Sequence, residues 1–384
     1  MIDSSIIYLN RDALENNIAF LRRKFGPGVR ISSVVKSNAY GHGIEQTVPM
    51  LEQAGIDHFS VFDYQEALRV KKYLSGEGDI MIMGWIPPRK MKDVLKHGFE
   101  FYVFNPERLQ EAAAAAEMTG APGHIHLEVE TGMNRSGLNR EQLHAALSCI
   151  EKNKKLFRVK GLCTHLAGAE SISNHVRISK QLKAFKCLSA LVDQCGLRPE
   201  YRHVANSAAA MVYPRARMDL VRIGIMQYGF WSSTETYIHY LSNKKNKENP
   251  LRRVLSWKSQ VMSLKEVKTG EFIGYGLSYL AQRPTHVALI PVGYSSGYNR
   301  SQSHLGRVLI RGRRCRLISI VNMNMLMADV TYVPEVRIGE EVVLIGRQKD
   351  REITVSAFCD TADQLNYEVL SRLPVNIKRK ISGG

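Results

Sequence analysis

Between residues 31 and 223 the chain alternates eight times between a short β-rich run and a segment with apolar residues at helical spacing. The β-rich runs are ISSVVK (31–36), HFSVFD (58–63), DIMIMGW (79–85), FEFYVF (99–104), HIHLEVE (124–130), VKGLCTHL (159–166), YRHVAN (201–206) and MDLVRIG (218–224). Between them lie helical stretches such as YQEALRVKKYL and RISKQLKAFKCLSALVDQC, and the alanine run 112–116 belongs to another. Strand–helix alternation implies parallel pairing with crossover helices. Eight such units predict a closed (β/α)8 barrel of the TIM type. The rival is a doubly wound open sheet, but no GxGxxG turn follows the first run.

After residue 239 the pattern breaks. HYLSNKKNKENP (239–250) is polar, lysine-rich and ends in proline, so it reads as a linker. Beyond it come β-rich runs with few helices: LSWKSQVMSLKEV, THVALIPVGY, GRVLIRGRRCRLISIV, LMADVTYV and EEVVLIG. The expectation is an α/β barrel over residues 1–240 and an all-β domain over 241–384, ending in a short helix near 356–365. The first strand residues of the chain are able to join the β domain. A length of 384 residues suits two domains.

The N-terminus lacks the basic-then-apolar layout of a secretory signal, and no run approaches a membrane span. Six scattered cysteines (Cys149, Cys163, Cys187, Cys195, Cys315, Cys359) show no metal-type pairing and read as reduced thiols of a cytoplasmic protein. No metal is expected. Lys and Arg exceed Asp and Glu by 17, which admits a polyanion partner. The basic clusters RRKFG, KKNK, RGRRCR and IKRK are short and carry no nucleic-acid-binding motif, so affinity for anionic small molecules or simple solubility is the reading, with no nucleic acid and no membrane.

In such a barrel the working face is where the strands end. Lys36 closes run one and Tyr40 follows it; Arg135 lies past run five, and His165 ends run six. Asn206 and Ser207 follow run seven, while Arg222, Gly224 and Ile225 end run eight. The loops after strands seven and eight commonly build a phosphate site. Here they offer the Ser207 hydroxyl and the bare backbone of Gly224. A phosphate on that side and a lysine from run one point to a phosphorylated aldehyde held as a Schiff base, the two handles of pyridoxal phosphate.

With those residues in place the chain resembles the alanine racemase family along nearly its whole length. VVKSNAYGHG is similar to the family's PLP-lysine motif, and ETGMNRSG, CTHLAGAE, ANSAA, VRIGIMQYG, FIGYGLSY, IPVGYSSGY and LNYEV follow in family order. The resemblance implies interconversion of L- and D-alanine by a homodimer with shared active sites. Lys36 would hold PLP and act as the base on the D-side. Tyr275, from the partner subunit, would be the base on the L-side. Arg135 would bond the PLP phenolate oxygen and the substrate carboxylate. Arg222 would face the pyridine nitrogen, with His165 between Arg222 and Tyr275. Tyr40, Ser207, Gly224 and Ile225 would hold the phosphate, Tyr294 and the Met323 backbone N–H would line the substrate site, and Asn206 would support them. Tyrosine, with a pKa near ~10, needs positive charge nearby to serve as a base, and the His165–Arg222 pair is the expected source.

Four positions depart from the family pattern. A carbamylated lysine common among relatives is Glu128 here, expected to accept from Arg135 unmodified. The usual acid of GYADG is Ser296, the usual Met-Asp pair is Met323-Asn324, and a tyrosine near the C-terminus aligns with Val375. Together they predict a wider, less negative entrance that admits serine or larger side chains. The alternatives are a broader-specificity racemase, a related decarboxylase (against which FIGYGLSY argues), a non-catalytic PLP carrier (against which residues 251–384 argue) and a PLP-binding homologue with impaired catalysis.

Overall fold

The computed structural model describes residues 3–242, 247–359 and 366–383. The chain forms two compact units. One comprises Ala13–Ser37 and Thr47–Arg252; the other comprises Met1–Asp12, Asn38–Gln46 and Arg253–Gly384.

The first unit is the barrel. Its parallel strands are Arg30–Val34, His58–Val61, Asp79–Ile82, Glu100–Val103, Gly123–Glu128, Phe157–Cys163, Tyr201–His203 and Leu220–Ile223. They pair in chain order, and the eighth lies beside the first, with Ser32 opposite Arg222. The seventh and eighth meet through a single bridge, Asn206 to Arg222, and the Arg222 N–H donates to Ala205 O at 3.0 Å. The circle is therefore nearly closed. Each strand lies within its predicted run or starts up to two residues before it, and stops one to three residues before the run ends. Lys36 and His165 thus stand beyond their strands, not at their tips. Strands such as HFSV and EFYV are buried at every position, as a sheet covered on one face by helices and filled on the other requires. The helices start where side chains cap them: Asp63 accepts from Glu66 N, and Asn139 forms a reciprocal capping box with Gln142. Helix Thr234–Ser242 runs into the predicted linker, whose residues 243–246 lie outside the described residues.

In the second unit, one sheet orders Arg313–Arg316, Arg307–Ile310, Glu341–Gln348, Leu255–Gln260, Ser5–Asn10 and Lys378–Ser382, with Arg351–Ile353 paired to Glu341–Gln348. A second sheet holds Ser263–Val267, Thr285–Ile290 and Leu326–Asp329. Ser5–Asn10 pairs antiparallel with Leu255–Gln260 and parallel with Lys378–Ser382, within the same unit. Trp257, Tyr298 and the run Val342–Ile345 fill its core. The predicted helix near 356–365 begins as Ser356–Cys359; residues 360–365 lie outside the described residues, as does the Leu365 end of LNYEV, and a further helix spans Asn366–Ser371.

Candidate active site

The first barrel strand ends at Val34, and the Val35 N–H donates to Ser60 O at 2.9 Å. Lys36 follows, half-buried. Burial lowers its pKa, the Arg135 charge lowers it further, Glu66 opposes, and Arg222 adds to the depression. The result is an amine more easily neutral than an ordinary lysine.

Lys36–Tyr40 forms one helical turn, and Ser37, Asn38, Ala39 and Tyr40 have φ of 53°, 54°, 55° and 51°. The turn is left-handed. Such a conformation costs about 1–2 kcal/mol per L-residue, so contacts must impose it. The buried His42 ring places Nδ1 3.0 Å from both Ala39 O and Tyr40 O. Arg379 donates from Nε and Nη2 to Gly41 O at 3.1 and 2.9 Å, and from Nη1 to Pro374, Val375 and Ile377 carbonyls. At Gly41 (φ 78°) a Cβ would sit 1.9 Å from Leu370 O, so only glycine fits. Tyr40 lies in this segment with its ring 6.1 Å from that of Tyr367.

Arg222 is buried on the eighth strand. Its Nη1 bonds His203 Nδ1 and His203 O, and its Nη2 donates to Thr164 O at 2.8 Å and Val204 O at 3.3 Å. The Nε–H takes part in none of these bonds. The His165 ring is not among the hydrogen-bond partners of this guanidinium. His165 is instead held low, to a pKa of about 3, by burial and by the Arg222, Arg135 and Lys36 charges. It is neutral at ordinary pH, and the positive charge of this region belongs to the arginines.

Asn206 caps the helix Ser207–Val212 by accepting from Ala209 N at 2.9 Å. The Gly224 N–H, expected to be open to an anion, donates to Ser207 Oγ at 3.0 Å. That bond joins the ends of strands seven and eight and leaves the Ser207 O–H to donate elsewhere. Ile225 is buried next to it.

Glu128 does not pair with Arg135. It is buried, which raises its pKa; the Ser136 hydroxyl and the Arg222 and Arg135 charges offset this in part. Arg135 is exposed, and in the same loop Glu130 accepts from the N–H groups of Gly132, Met133 (2.7 Å) and Asn134 (2.9 Å).

Tyr275, Tyr294 and Met323 all lie in the β unit and are 71%, 42% and 56% exposed. Gly274 and Gly276 flank Tyr275 at φ 77° and 72°. Tyr294 and Met323 are brought together: the Tyr294 N–H donates to Asn322 O and the Ser295 N–H to Met323 O, each at 3.0 Å. Ser295 Oγ also donates to Met323 O at 2.7 Å, and Asn324 Nδ2 donates to Ser295 Oγ at 2.9 Å.

Three contributors escaped the sequence reading. His203, inside the run YRHVAN, reads as an ordinary core histidine. Glu130 sits in the quoted ETGMNRSG loop without a signal for its three N–H partners. Arg379 lies in the IKRK cluster, which reads as solvated charge.

A nearly closed parallel barrel with a suppressed amine beside its first strand and a buried, donor-only arginine on its eighth has the parts that an enzyme holding a carbonyl cofactor needs. Residues 9–231 match the model for the alanine racemase N-terminal domain, and 254–381 the one for the C-terminal domain. The chain belongs to the alanine racemase family. It is 36% identical over 377 residues to the alanine racemase of Leptospira interrogans serovar Lai, covering 98% of this chain and 95% of that protein. To the alanine racemase of Symbiobacterium thermophilum it is 33% identical over 379 residues, covering 97% and 95%. Among solved structures, alanine racemase of Clostridium difficile 630 superposes with a TM-score of 0.90 at 27% identity, covering 100% of this chain and 97% of the other. That of Bartonella henselae, solved with covalently bound pyridoxal phosphate, gives 0.84 at 26% identity with full coverage of both.

Proposed function

We propose that this chain interconverts L- and D-alanine with pyridoxal phosphate bound at Lys36. PLP-dependent alanine racemisation is the family's reaction, and the donor set fits the cofactor: a lysine amine of lowered pKa, and an Arg222 Nε–H beside a guanidinium whose other donors are occupied. Bound, the cofactor supplies the electron sink that acidifies the substrate's Cα–H. The residues divide the remaining work. Lys36 takes or returns a proton on one face of Cα, and Tyr275 of the partner subunit does so on the other. Arg222 donates a hydrogen bond to the ring nitrogen and gives up no proton, because guanidinium stays charged. Tyr40, Ser207 and Ile225 hold the phosphate, and Gly224, whose N–H is bonded to Ser207 Oγ, leaves room for it by having no side chain; Arg135, Tyr294 and the Met323 N–H receive the substrate. His165, being neutral, orients by hydrogen bonding, and Arg222 supplies the positive charge.

The observation that carries this reading is the depressed Lys36 amine flanked by Arg135 and Arg222. Its test is an absorbance band near ~420 nm from the cofactor joined to Lys36, together with α-proton exchange from L- and D-alanine in deuterated water. Lys36→Ala must lose both. A chain that keeps the band without Lys36 overturns the reading.

The assembly is a homodimer with shared sites, working in the cytoplasm to supply D-alanine for the cell wall. Mixing Lys36→Ala with Tyr275→Phe protomers tests the sharing: random exchange restores roughly a quarter of wild-type activity if each site draws on both copies, and none if each site is built from one chain.

A second reading concerns specificity. Asn324 and Ser296 stand where relatives place acids, and Val375 is 66% exposed. An entrance without those carboxylates accepts serine or longer side chains. Values of kcat/KM for L-alanine, L-serine and L-lysine decide it; a preference for alanine by several orders of magnitude refutes it.

A further inference from the structure

Arg222 is one end of a buried polar chain that crosses the barrel interior. His203 Nδ1 bonds Arg222 Nη1, and His203 Nε2 lies 2.9 Å from His126 Nδ1. His126 Nε2 lies 2.8 Å from Glu100 Oε2, and the same oxygen receives His58 Nε2 at 3.1 Å. His58 Nδ1 in turn meets Ser32 Oγ at 2.8 Å, and Ser32 Oγ meets Ser60 Oγ at 2.5 Å. His58, His126 and His203 have no exposed surface, and Glu100 has 1%. These residues come from strands one, two, four, five, seven and eight of the barrel.

The two ends dictate every proton between them. Arginine has no acceptor, so His203 Nδ1 must be bare. A neutral imidazole with a bare Nδ1 carries its proton on Nε2, so His203 donates to His126 Nδ1. His126 then holds its own proton on Nε2 and donates to Glu100. Starting from Glu100, which as a carboxylate only accepts, gives the same assignment. An imidazolium at His126 would force its Nδ1–H against the His203 Nε2–H, so the chain admits one arrangement: cation, two neutral rings, anion, with all N–H bonds aimed at Glu100. Burial, which depresses the pKa values of His126 and His203, acts in the same direction.

Space for the chain is made by a missing side chain. A Cβ on Gly161 would lie 2.1 Å from His126 Nδ1, and the pairing of strands five and six shifts register between Ile125 and His126.

We propose that Glu100, His126 and His203 are positioning residues that hold Arg222 as a fixed, donor-only partner for the cofactor's ring nitrogen. Glu100 offsets the arginine's charge across two neutral rings, and His203 anchors Nη1 so that Nε–H stays free. Other groups facing the chain include the Tyr102 ring, 6.1 Å from both His126 and His203, the Tyr201 ring, 6.4 Å from His58, and Lys160, with Nζ 3.5 Å from Glu100 Oε1. This assignment rests on the PLP reading only in its last link.

Two measurements test it. Long-range 1H–15N spectra of the wild-type holoenzyme report the histidine tautomers. His126 and His203 are expected to be neutral and protonated at Nε2 throughout pH 6–9; an Nδ1–H tautomer or an imidazolium at either overturns the relay. The second measurement loads wild type, Glu100→Gln and Gly161→Ala with pyridine-15N pyridoxal phosphate. Both variants are expected to move the ring-nitrogen resonance and to raise the cofactor's dissociation constant at least tenfold. If a variant folds, binds cofactor and leaves that resonance unmoved, the network is structural only and the proposal fails. If the wild-type chain takes up no cofactor, the PLP reading fails, while the tautomers measured on the unloaded chain still decide the relay.

Discussion

Asn324 shows how one side chain rewires its neighbours. Ser295 spends its hydroxyl proton on Met323 O, so its oxygen is left as an acceptor, and the Asn324 amide supplies the donor. A carboxylate has no proton to give there. Asn324→Asp is expected to break this bond, free the Ser295–Met323 loop and restore negative charge at the entrance. Steady-state kinetics should register it as a raised KM for alanine and a larger loss for serine than for alanine. Arg379 is the opposite case, a residue whose importance lies in burial. Arg379→Ala leaves four carbonyls without their donor and is expected to cost about 3 kcal/mol or more, read from urea unfolding. The places of Lys36 and Ser207 past strands one and seven, and of Arg222 near the end of strand eight, could be read from the pattern of apolar runs. The burial of His203 and Arg379 could not, since a lone histidine in a strand and a cation in a basic run look the same whether they are solvated or enclosed.

Among elements, the two loops that present cationic residues are built differently. The loop bearing Arg135 is local: Glu130 gathers three successive N–H groups within four residues. Glu130→Ala is expected to release that loop and raise KM for alanine about tenfold, with little change in stability, since a surface loop opens at small cost. The turn after Lys36 depends on distant chain. Gly41→Ala places a methyl group inside the Leu370 carbonyl and is expected to destabilise by more than ~3 kcal/mol, measured by thermal unfolding of the holoenzyme. The strands and their order could be read from hydrophobic runs. The handedness of the turn could not, because Ser-Asn-Ala-Tyr carries no glycine where φ is positive, and the reason for the conformation sits 338 residues away in Arg379.

At the scale of the whole molecule, the buried histidines tie stability to pH. His42, His126, His165 and His203 all have lowered pKa values in the fold, against ~6.5 in an unfolded chain. Below that value the unfolded state binds protons that the folded state refuses. Stability is therefore full above about pH 6.5 and falls as pH drops through it, by up to ~1.4 kcal/mol per pH unit for each ring. Urea midpoints at pH 8, 7, 6 and 5 should be flat across the first two and decline steeply across the last two. The sequence changes texture near residue 239, whereas the last boundary between the two units of the fold falls between Arg252 and Arg253. The assignment of Asn38–Gln46 was not legible: the segment packs with the β unit, and nothing in that polar, glycine-bearing stretch announces its partners.

The left-handed turn has a consequence for synthesis. The chain emerges from the ribosome from its N-terminus, so the Asn38–Gly41 segment appears hundreds of residues before the guanidinium that secures it. A nascent chain can complete its barrel, Lys36 included, while the turn that follows the lysine still lacks the contacts that hold it left-handed. That turn is secured late, once the final strand pairs with the first.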